Sequence, residues 1–598
     1  MNRSRQTFVW VIPIGLAVLA RLIALLALRD NPFTAHLFSD SHHYWNWAEA
    51  LREGNAPPHA FYQAPLYPYL LAVWRGVAGD SLPLLYAWQH LLGVLTTALV
   101  VFYGRRAGFG AGAAAAASLY AVHPYPIYFE QKVLSEAWAV PIALLAAGAV
   151  AGITADRARR VRALGAGLLT GVACVAKANL LLFGALSFLW LAFARRGARR
   201  ERFGGAFAIP VLFTTGLVLV LAPIAARNLF VDGGLTIVAA NGGEVFYHGN
   251  NANASGSMGL IPGLDADIES LGESSRLLAS ERAGRTLNAA EASRHWFGEG
   301  LRWIRENPAA WANLLAQKGR IAISGRFTPL SSFYDFEYER FGGWPRAFRF
   351  VHYPLFVLGV AAFFRRPARE RFPVPFRLLA LVPAVAMLLF FACTRYSLLL
   401  LPPLAIGAGA TLQALFESGR GVRLRAASGL ALVAVLFAVV DRPAGTSRAV
   451  PFVQLGSIHE QRGELEKARS LYREAAVKNP RDPRHRALIA KTYESEGNRE
   501  RALEELDRAL GEGVADRQTY AYRAFLLVES GDFARAEKAL IEASARDPRN
   551  ADLLRLLFRL YSGPLEDEAK ARDVFERLVR LLQERGEPVI TSPGPPSG

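Results

Sequence analysis

Residues 8–28 read FVWVIPIGLAVLARLIALLAL, an apolar stretch in which only Arg21 carries a charge. A helix needs about 20 apolar residues to cross the roughly 30 Å hydrocarbon core of a bilayer. The stretch is too long for the core of a signal peptide, and no small-residue cleavage site follows it. We therefore expect a retained membrane anchor here.

Ten further apolar runs follow along the chain. The 598 residues are 52% hydrophobic, with a mean hydropathy of +0.18, which is too apolar and too long for one soluble core. The sequence therefore predicts an all-α polytopic membrane protein. The runs predict about eleven transmembrane helices, at residues 8–28, 83–103, 108–124, 134–154, 163–178, 180–194, 205–227, 347–364, 374–392, 396–414 and 424–441.

The formal net charge of +17 could point to nucleic acid, but the arginines cluster in short groups between apolar runs. Short basic loops of this kind stay in the cytoplasm. With the N-terminus inside, every group falls on the cytoplasmic side, so no nucleic-acid partner is expected. The groups are Arg105–Arg106, Arg157–Arg162, Arg195–Arg202, Arg365–Arg371 and Arg420–Arg425.

This topology puts three loops, and everything beyond residue 441, on the outer face. The alanine- and arginine-rich composition is typical of bacteria, so we expect the inner membrane, with the outer face in the periplasm. Only two cysteines occur, Cys174 and Cys393, which excludes a disulfide framework. The loops are residues 29–82, 125–133 and 228–346.

The C-terminal part carries a repeat with a period of 34 residues, seen in Gly463, Gly497 and Gly531 and in two series of alanines. Small residues at fixed places let the two helices of a hairpin approach closely, and this period is typical of tetratricopeptide repeats. We expect such repeats to bind a protein or peptide. The predicted domains are a transmembrane domain at 1–445, three to four repeats at 446–586 and a disordered tail at 587–598. The alanines are Ala468, Ala502, Ala536, Ala475, Ala509 and Ala543.

The first outer loop contains LFSDSHHYWNWAEALREG at residues 37–54. Asp40 is either the N-cap of a helix beginning at Ser41 or a functional carboxylate. The aromatic residues also fit an interfacial belt. Further along, QAPLYPYLLAVW (63–74) is stiffened by two prolines around Tyr67. Tyr44 and Tyr67 are the candidate substrate-binding residues of this loop.

The second outer loop, HPYPIYFEQKVLSEAWA at 123–139, brings Glu130, Lys132 and Glu136 to the same face. Glu136 lies where a transmembrane helix begins, and a carboxylate at that depth is costly unless it is paired or functional. Cations also lie at the outer ends of other spans, where the positive-inside rule does not explain them. Together with Lys132 they suit a phosphate held at the interface, and they are Lys177, Arg227, Lys318 and Arg395.

A divalent metal ion is an alternative role for the first loop, because His42 and His43 with Asp40 offer imidazole and carboxylate ligands. Neighbouring residues on a helix point about 100° apart, and no third ligand is evident from the sequence. A metal ion therefore stays an open alternative, and no other cofactor is expected.

Carboxylates and cations together on the outer face predict the transfer of a sugar from a lipid phosphate to a hydroxyl group. A carboxylate would take the proton of the acceptor hydroxyl. The cations would stabilise the lipid phosphate as it leaves. The glycine- and asparagine-rich stretch NGGEVFYHGNN of the long loop is either a set of turns or a sugar contact.

Several motifs together resemble the protein O-mannosyltransferase-like group of GT-C membrane glycosyltransferases, a wider set that includes the lipid A aminoarabinose transferase. Members often carry a second acidic residue directly after the first-loop aspartate, whereas Ser41 stands there in this chain. The resemblance covers about residues 8–415. It rests on DSHHYWNWA (40–48), PLYPYLLA (65–72), HPYPIYFEQKVLSE (123–136), ARNLFVDGGLTIVAANGGEVFYHGNNANASG (226–256) and RYSLLLLPPLAIGAG (395–409).

The resemblance implies an inverting transfer from a polyprenyl-phosphate sugar, with little or no dependence on metal, to a protein, lipid or glycan acceptor. It implies that Asp40 is the general base. It also implies that Glu136, or alternatively Glu130, is the acidic residue of the second loop. Finally, it implies phosphate-binding roles for Lys177, Arg227 and Arg395.

Three other functions compete with this one. A periplasmic polysaccharide ligase or polymerase also uses polyprenyl-linked donors but moves whole glycans, whereas the early first-loop aspartate favours a monosaccharide. A non-catalytic scaffold that only anchors the repeats needs far fewer spans than eleven. A transporter would carry its ionisable residues near the middle of the membrane rather than at the outer ends of its spans.

Overall fold

The structure is a computed structural model that describes residues 3–153, 159–193, 208–259, 261–264, 268–330, 332–440 and 449–585. Every regular element within these ranges is a helix, which confirms the all-helical prediction. The chain divides into two compact units, Met1–Ala444 and Gly445–Gly598. The arginine group Arg195–Arg202, the residues around the predicted boundary at 445 and the predicted tail at 587–598 lie outside the described residues.

The first unit contains the apolar helices and the loops between them. Its α-helices are α1 (Arg3–Leu26), α2 (Pro32–Ala35), α3 (Asp40–Arg52), α4 (Leu66–Ala78), α5 (Leu82–Arg106), α6 (Gly110–Ala121), α7 (Pro124–Phe129), α8 (Glu136–Ala151), α9 (Arg159–Ala176), α10 (Leu181–Phe193), α11 (Ala208–Asp232), α12 (Gly242–Gly249), α13 (Ile268–Ala283), α14 (Ala289–Glu306), α15 (Pro308–Ile323), α16 (Tyr334–Phe341), α17 (His352–Phe364), α18 (Arg366–Arg371), α19 (Val374–Leu389), α20 (Thr394–Ser397), α21 (Leu401–Glu417) and α22 (Arg420–Val440).

Four helices of the described residues are long and apolar enough to cross a membrane: Leu82–Arg106, Ala208–Asp232, Arg346–Phe364 and Arg420–Ala438. Shorter apolar helices are Trp10–Leu26, Glu136–Ala151, Ala178–Phe193 and Val374–Leu389. Each of the eleven predicted spans contains a helix, whereas the number of membrane crossings stays a prediction. Helix α6 fits the prediction least, because its 12 residues measure only about 18 Å at 1.5 Å per residue.

Glycines let several helices of this unit pack with their backbones close together. On α9, a Cβ atom at Gly167 would lie 2.0 Å from the carbonyl oxygen of Phe213 on α11, and one at Gly216 would lie 2.3 Å from that of Leu164. Helices α6 and α21 approach in the same way at Gly112. Small residues at helix crossings are typical of membrane bundles. The close packing of α9 against α11 fixes the end of α9, which Lys177 follows.

The first outer loop and the long loop are joined through their backbones. The amides of Ala240 and Asn241 donate to the carbonyl oxygens of Phe61 and Tyr62 at 2.8 and 3.2 Å. The buried side chain of Asn228 accepts from the Phe61 amide at 3.1 Å and donates to the carbonyl of Thr236. Residues 61 and 62 of the first loop are therefore bound to the long loop.

The second unit is a stack of helical hairpins with its own apolar core. The six alanines of the 34-residue pattern are all buried. Gly463, Gly497 and Gly531 have φ near +75°, a backbone conformation that favours glycine and that ends the first helix of each hairpin. The helices are α23 (Val450–Gln461), α24 (Leu465–Lys478), α25 (Arg484–Ser495), α26 (Arg499–Gly511), α27 (Arg517–Glu529), α28 (Phe533–Arg546), α29 (Ala551–Ser562) and α30 (Glu568–Arg585).

Candidate functional site

Two carboxylates and two cations from four separate elements meet at one place, which we call the four-charge cluster: Asp40, Glu136, Lys177 and Arg395. Asp40 is the first residue of α3, and Glu136 is the first residue of α8. Lys177 follows the end of α9, and Arg395 lies in the short helix α20. Each is at a helix end or in a short helix.

The cluster is a chain of ion pairs centred on Arg395. Its guanidinium binds the Asp40 carboxylate through Nη1, and its Nε donates to Oε1 of Glu136 at 2.7 Å. The Lys177 ammonium donates to the same Glu136 oxygen at 2.6 Å. The structure therefore brings together one first-loop acid, one second-loop acid and two of the five predicted phosphate-binding cations.

The cluster is almost shielded from solvent. The side chains of Glu136 and Arg395 are 3% and 6% exposed, whereas those of Asp40 and Lys177 are 12% and 17% exposed. Buried charges of this kind are costly unless they are paired. Access to the cluster is therefore from the side of Asp40 and Lys177.

Asp40 does not cap its helix. The N-cap position is Ser39, which makes no capping hydrogen bond with its side chain, and the Asp40 carboxylate instead accepts from Gln63 at 2.9 Å. Burial acts to raise the pKa of Asp40, but the charge of Arg395 and the hydrogen bonds from Gln63 and Arg395 outweigh it, so the pKa is below its ordinary value. The N-cap alternative is therefore wrong, and Asp40 is ionised at neutral pH.

Tyr44 and Tyr67 lie behind the cluster and are both buried. Their rings meet edge to face at 5.1 Å between centroids, and the Tyr67 hydroxyl donates to Gln89 at 3.2 Å. Tyr44 is close enough to Asp40 and Glu136 for their charges to raise its pKa in addition to the larger effect of burial. Tyr44 thus borders the cluster, and Tyr67 supports Tyr44 from behind.

Glu130 belongs to a second buried cluster. Its carboxylate pairs with Arg21 at 2.7 Å and with Nδ1 of His90 at 2.8 Å. A small pocket has both Glu130 and Glu136 in its lining. Glu130 thus faces the same pocket as Glu136, whereas its own ion pairs are with Arg21 and His90.

The other predicted cations lie elsewhere. Lys132 pairs with Glu337 at 2.8 Å, Arg227 donates to the backbone carbonyls of His59 and Pro57, and Lys318 donates to Asn250 at 3.0 Å. Desolvation lowers the pKa of Lys318 to about 8. These three cations connect loops and helices and, among the residues that the structure describes, make no ion pair or hydrogen bond with the four-charge cluster.

The suggested metal ligands His42 and His43 are on α3, next to Asp40. His42 lies beside Asn46, with 3.3 Å between Nε2 and the amide nitrogen, and the His43 ring packs against Trp47. Within the described ranges, no group of three or more histidine, cysteine, aspartate or glutamate side chains is arranged to hold a metal ion. A metal ion at this loop stays a prediction.

Three residues in or beside the site were not predicted from the sequence: Gln63, Tyr62 and Glu244. Gln63 binds Asp40. The Tyr62 hydroxyl donates to Glu244 of the long loop at 2.8 Å. The stretch NGGEVFYHGNN contains Glu244 and drew attention only for its glycines and asparagines. Its one acid among apolar neighbours was the signal that could have identified the residue.

The comparison with known families identifies the repeats. Residues 452–484 match the family described as tetratricopeptide repeat. No curated protein matches the chain. The protein is thus all-helical, with apolar helices of membrane-spanning length and a tetratricopeptide repeat region.

Among solved structures, the chain is similar over 74% of its length to the archaeal oligosaccharyltransferase AglB from Archaeoglobus fulgidus in complex with an inhibitory peptide and a dolichol-phosphate (14% identity, TM-score 0.37). A second Archaeoglobus fulgidus oligosaccharyltransferase structure, with Zn and sulfate, gives 13% identity and a TM-score of 0.38 over the same share. The chain covers only 58% and 55% of these proteins. Yeast Tom70 is similar over 81% of the chain and 92% of its own length, at 14% identity and a TM-score of 0.23. Since all three TM-scores are below 0.5, these similarities establish no activity for this chain.

Proposed function

We propose that this protein is an integral membrane glycosyltransferase of the bacterial inner membrane. It moves a sugar from a polyprenyl-phosphate donor to a hydroxyl group of a protein, lipid or glycan, with inversion, on the periplasmic face. The observation that carries the proposal is the four-charge cluster, which includes the first residue of the apolar helix α8 and the residue that follows α9. Its two acids and two cations are the groups that such a transfer needs.

Asp40 is the general base of the proposed reaction. The acceptor oxygen forms a bond to C1 of the sugar as the bond from C1 to the phosphate oxygen breaks, and the acceptor proton passes to the Asp40 carboxylate. A base must be unprotonated before it can act, and the lowered pKa of Asp40 keeps it so at neutral pH. Its partly exposed side chain gives the acceptor a route of approach.

Lys177 and Arg395 bind the phosphate of the donor. The electron pair of the broken bond stays on the polyprenyl phosphate, and cations in a water-poor site stabilise that charge strongly. Glu136 holds both cations through one oxygen, so it positions them while the site is empty. Lys177 is the more exposed cation and meets the phosphate first.

The remaining candidates have supporting roles in this proposal. Tyr44 lines the substrate side of the cluster, and Tyr67 holds it in place. Lys132, Arg227 and Lys318 hold the outer loops rather than the phosphate, and Glu130 stabilises α1 against α5. The tetratricopeptide region binds a protein or peptide partner, in keeping with the extended concave surface that such repeats form.

The test is sugar transfer by the purified protein from a panel of radiolabelled polyprenyl-phosphate monosaccharides. Asp40→Asn is expected to lower the turnover of the preferred donor by about 10²–10⁴-fold, the usual contribution of a general base. Glu53→Gln is the matched control, since Glu53 follows the same helix and is exposed. Parallel reactions with EDTA and with added Mg²⁺ measure any need for a metal ion.

Equal turnover by wild type and Asp40→Asn would refute the role of Asp40. If no monosaccharide donor is used, the same assay with a polyprenyl-diphosphate oligosaccharide tests the polysaccharide ligase or polymerase. Failure of both donor classes would leave the non-catalytic scaffold.

A further inference from the structure

Glu244 is a buried carboxylate on α12 in the long loop, outside the four-charge cluster. The residue is only 2% exposed. A buried carboxylate is expected to have hydrogen-bond donors on both of its oxygens, because each one loses water on burial. The hydrogen-bond partners of Glu244 therefore show whether one of its oxygens still lacks a donor.

All the donors to Glu244 act on one oxygen. The Tyr62 hydroxyl donates to Oε1 at 2.8 Å, and Nε2 of His248 lies 3.3 Å from the same oxygen. Nδ1 of His248 lies 2.6 Å from the carbonyl oxygen of Gly259 and must carry a hydrogen to donate to it. Both the Tyr62 hydroxyl and Nε2 of His248 therefore lie against Oε1.

The second oxygen, Oε2, is buried and receives no hydrogen bond from any residue that the structure describes. The same holds for the side-chain oxygen of Gln63. Both are acceptors without a donor. A buried acceptor left in this state is destabilising unless an ordered water molecule or a ligand donates a hydrogen bond to it.

Glu244 is connected to the proposed base through Tyr62 and Gln63, which are neighbours in the chain. Tyr62 binds Glu244, Gln63 binds Asp40 at 2.9 Å, and the Tyr62 carbonyl accepts from Asn241 of the long loop. The pKa of Tyr62 is raised by burial first, then by Glu244 and also by the charge of Asp40. One short segment thus joins the unsatisfied oxygens to the site of the proposed reaction.

If Glu244 only joined the two loops, the hydrogen bond from Tyr62 to Oε1 would be enough. That role does not account for the burial of Oε2 without a donor among the described residues. A phosphate is a poor ligand for this place, since two negative charges would meet without a cation between them. A hydroxyl group is suitable, because it donates one hydrogen bond and brings no charge. Sugars and their acceptors both carry such groups.

We propose that Glu244 binds substrate: its Oε2 accepts a hydrogen bond from a hydroxyl group other than the one that Asp40 deprotonates. This inference rests on the function proposed above and adds a recognition residue to it. The hydroxyl belongs either to the transferred sugar or to the acceptor, and the two sources give different kinetic results.

The experiment measures KM for the donor and for the acceptor in the wild type, in Glu244→Gln and in Glu244→Met. A hydrogen bond to a charged group is worth about 10–100-fold in affinity, so Glu244→Met is expected to raise one KM by that factor and Glu244→Gln by less. A rise confined to the donor KM assigns the hydroxyl to the sugar, and a rise confined to the acceptor KM assigns it to the acceptor. Glu291→Gln in α14, a helix of the same loop, is the control.

Monodeoxy donors and acceptors identify the hydroxyl group. The wild type is expected to discriminate against one deoxy compound by about 10–100-fold, and Glu244→Met is expected to lose that discrimination. Tyr62→Phe breaks the same connection between the loops but keeps Oε2, so it is expected to lower the melting temperature while preserving the discrimination.

Several outcomes would overturn the inference. Unchanged KM values in Glu244→Met, or equal loss of discrimination in Tyr62→Phe, would mean that Glu244 only joins the loops. A melting temperature that EDTA lowers in the wild type but not in Glu244→Met would mean that Oε2 holds a metal ion. In each case the wild type still transfers sugar, so the proposed function stands. A wild type that transfers no sugar overturns both.

Discussion

At the residue scale, the role of Asp40 depends on a partner that is distant in sequence. Arg395 is 355 positions away, and it turns a plausible helix cap into an ionised carboxylate inside a charge cluster. Glu136 shows the same dependence, since its two cations come from α9 and α20. A carboxylate in this setting is retained at a cost to stability, which supports a functional role for the cluster.

Lys318 leads to a prediction about pH at the same scale. Its pKa is about 8 in the folded protein against an ordinary value of 10.5, so between these values the unfolded chain binds a proton that the folded chain lacks. Stability then rises with pH over this range. We expect the free energy of unfolding of the wild type to increase from pH 8 to pH 10, and Lys318→Met to lack this part of the increase, as measured by denaturant unfolding in detergent.

Lys467→Met serves as the control for Lys318, because Lys467 is 67% exposed. It should keep the pH dependence of the wild type. Parallel curves for the wild type and Lys318→Met over this pH range would show that Lys318 is not desolvated in the folded protein.

At the element scale, close packing of α9 against α11 sets the position of Lys177. A Cβ atom at Gly167 would lie 2.0 Å from a backbone oxygen of α11, so the two helices must separate if any side chain is placed there. Because Lys177 follows the end of α9, such a separation would move the ammonium relative to Glu136. The glycines at the crossing of α9 and α11 thus help to set the distance between Lys177 and Glu136.

Gly167→Ala is therefore expected to lower stability by about 1–3 kcal/mol, the usual cost of overpacking, and to reduce sugar transfer. Gly165→Ala on the same helix is the matched control, since a Cβ atom there has no neighbour within 4 Å. It should be neutral or slightly stabilising, because alanine favours a helix over glycine. Thermal unfolding and transfer assays distinguish the two, and equal melting temperatures would contradict the close crossing.

At the scale of the whole molecule, the predicted eleven spans place the repeats in the periplasm. Both native cysteines, Cys174 and Cys393, are buried, so single introduced cysteines can be labelled without removing them. Ser495→Cys lies at an exposed position of the repeat region, and Arg366→Cys lies at an exposed position of a predicted cytoplasmic loop.

A maleimide that does not cross the inner membrane is expected to label Ser495→Cys in cells with a permeabilised outer membrane. It should label Arg366→Cys only after the inner membrane is also opened. The reverse result for Ser495→Cys would mean an even number of spans, with the repeats in the cytoplasm.

The helical class, the apolar segments and the tetratricopeptide repeats follow from the sequence alone. These features depend on local properties: the length of an apolar run, and small residues recurring every 34 positions. The same reasoning named Asp40, Glu136, Lys177 and Arg395 as candidates, because ionisable residues at the outer ends of apolar helices need a reason to be there.

Which of these candidates meet depends on how the chain packs in three dimensions. Glu130 pairs with Arg21, 109 positions away, and Lys132 pairs with Glu337, 205 positions away. Neither partner is signalled by spacing or composition. The second oxygen of Glu244 is buried without a donor among the described residues, and no pattern in the sequence marks it. Pairing between ionisable groups depends on how helices and loops pack across hundreds of residues, and no local pattern in the chain encodes that packing.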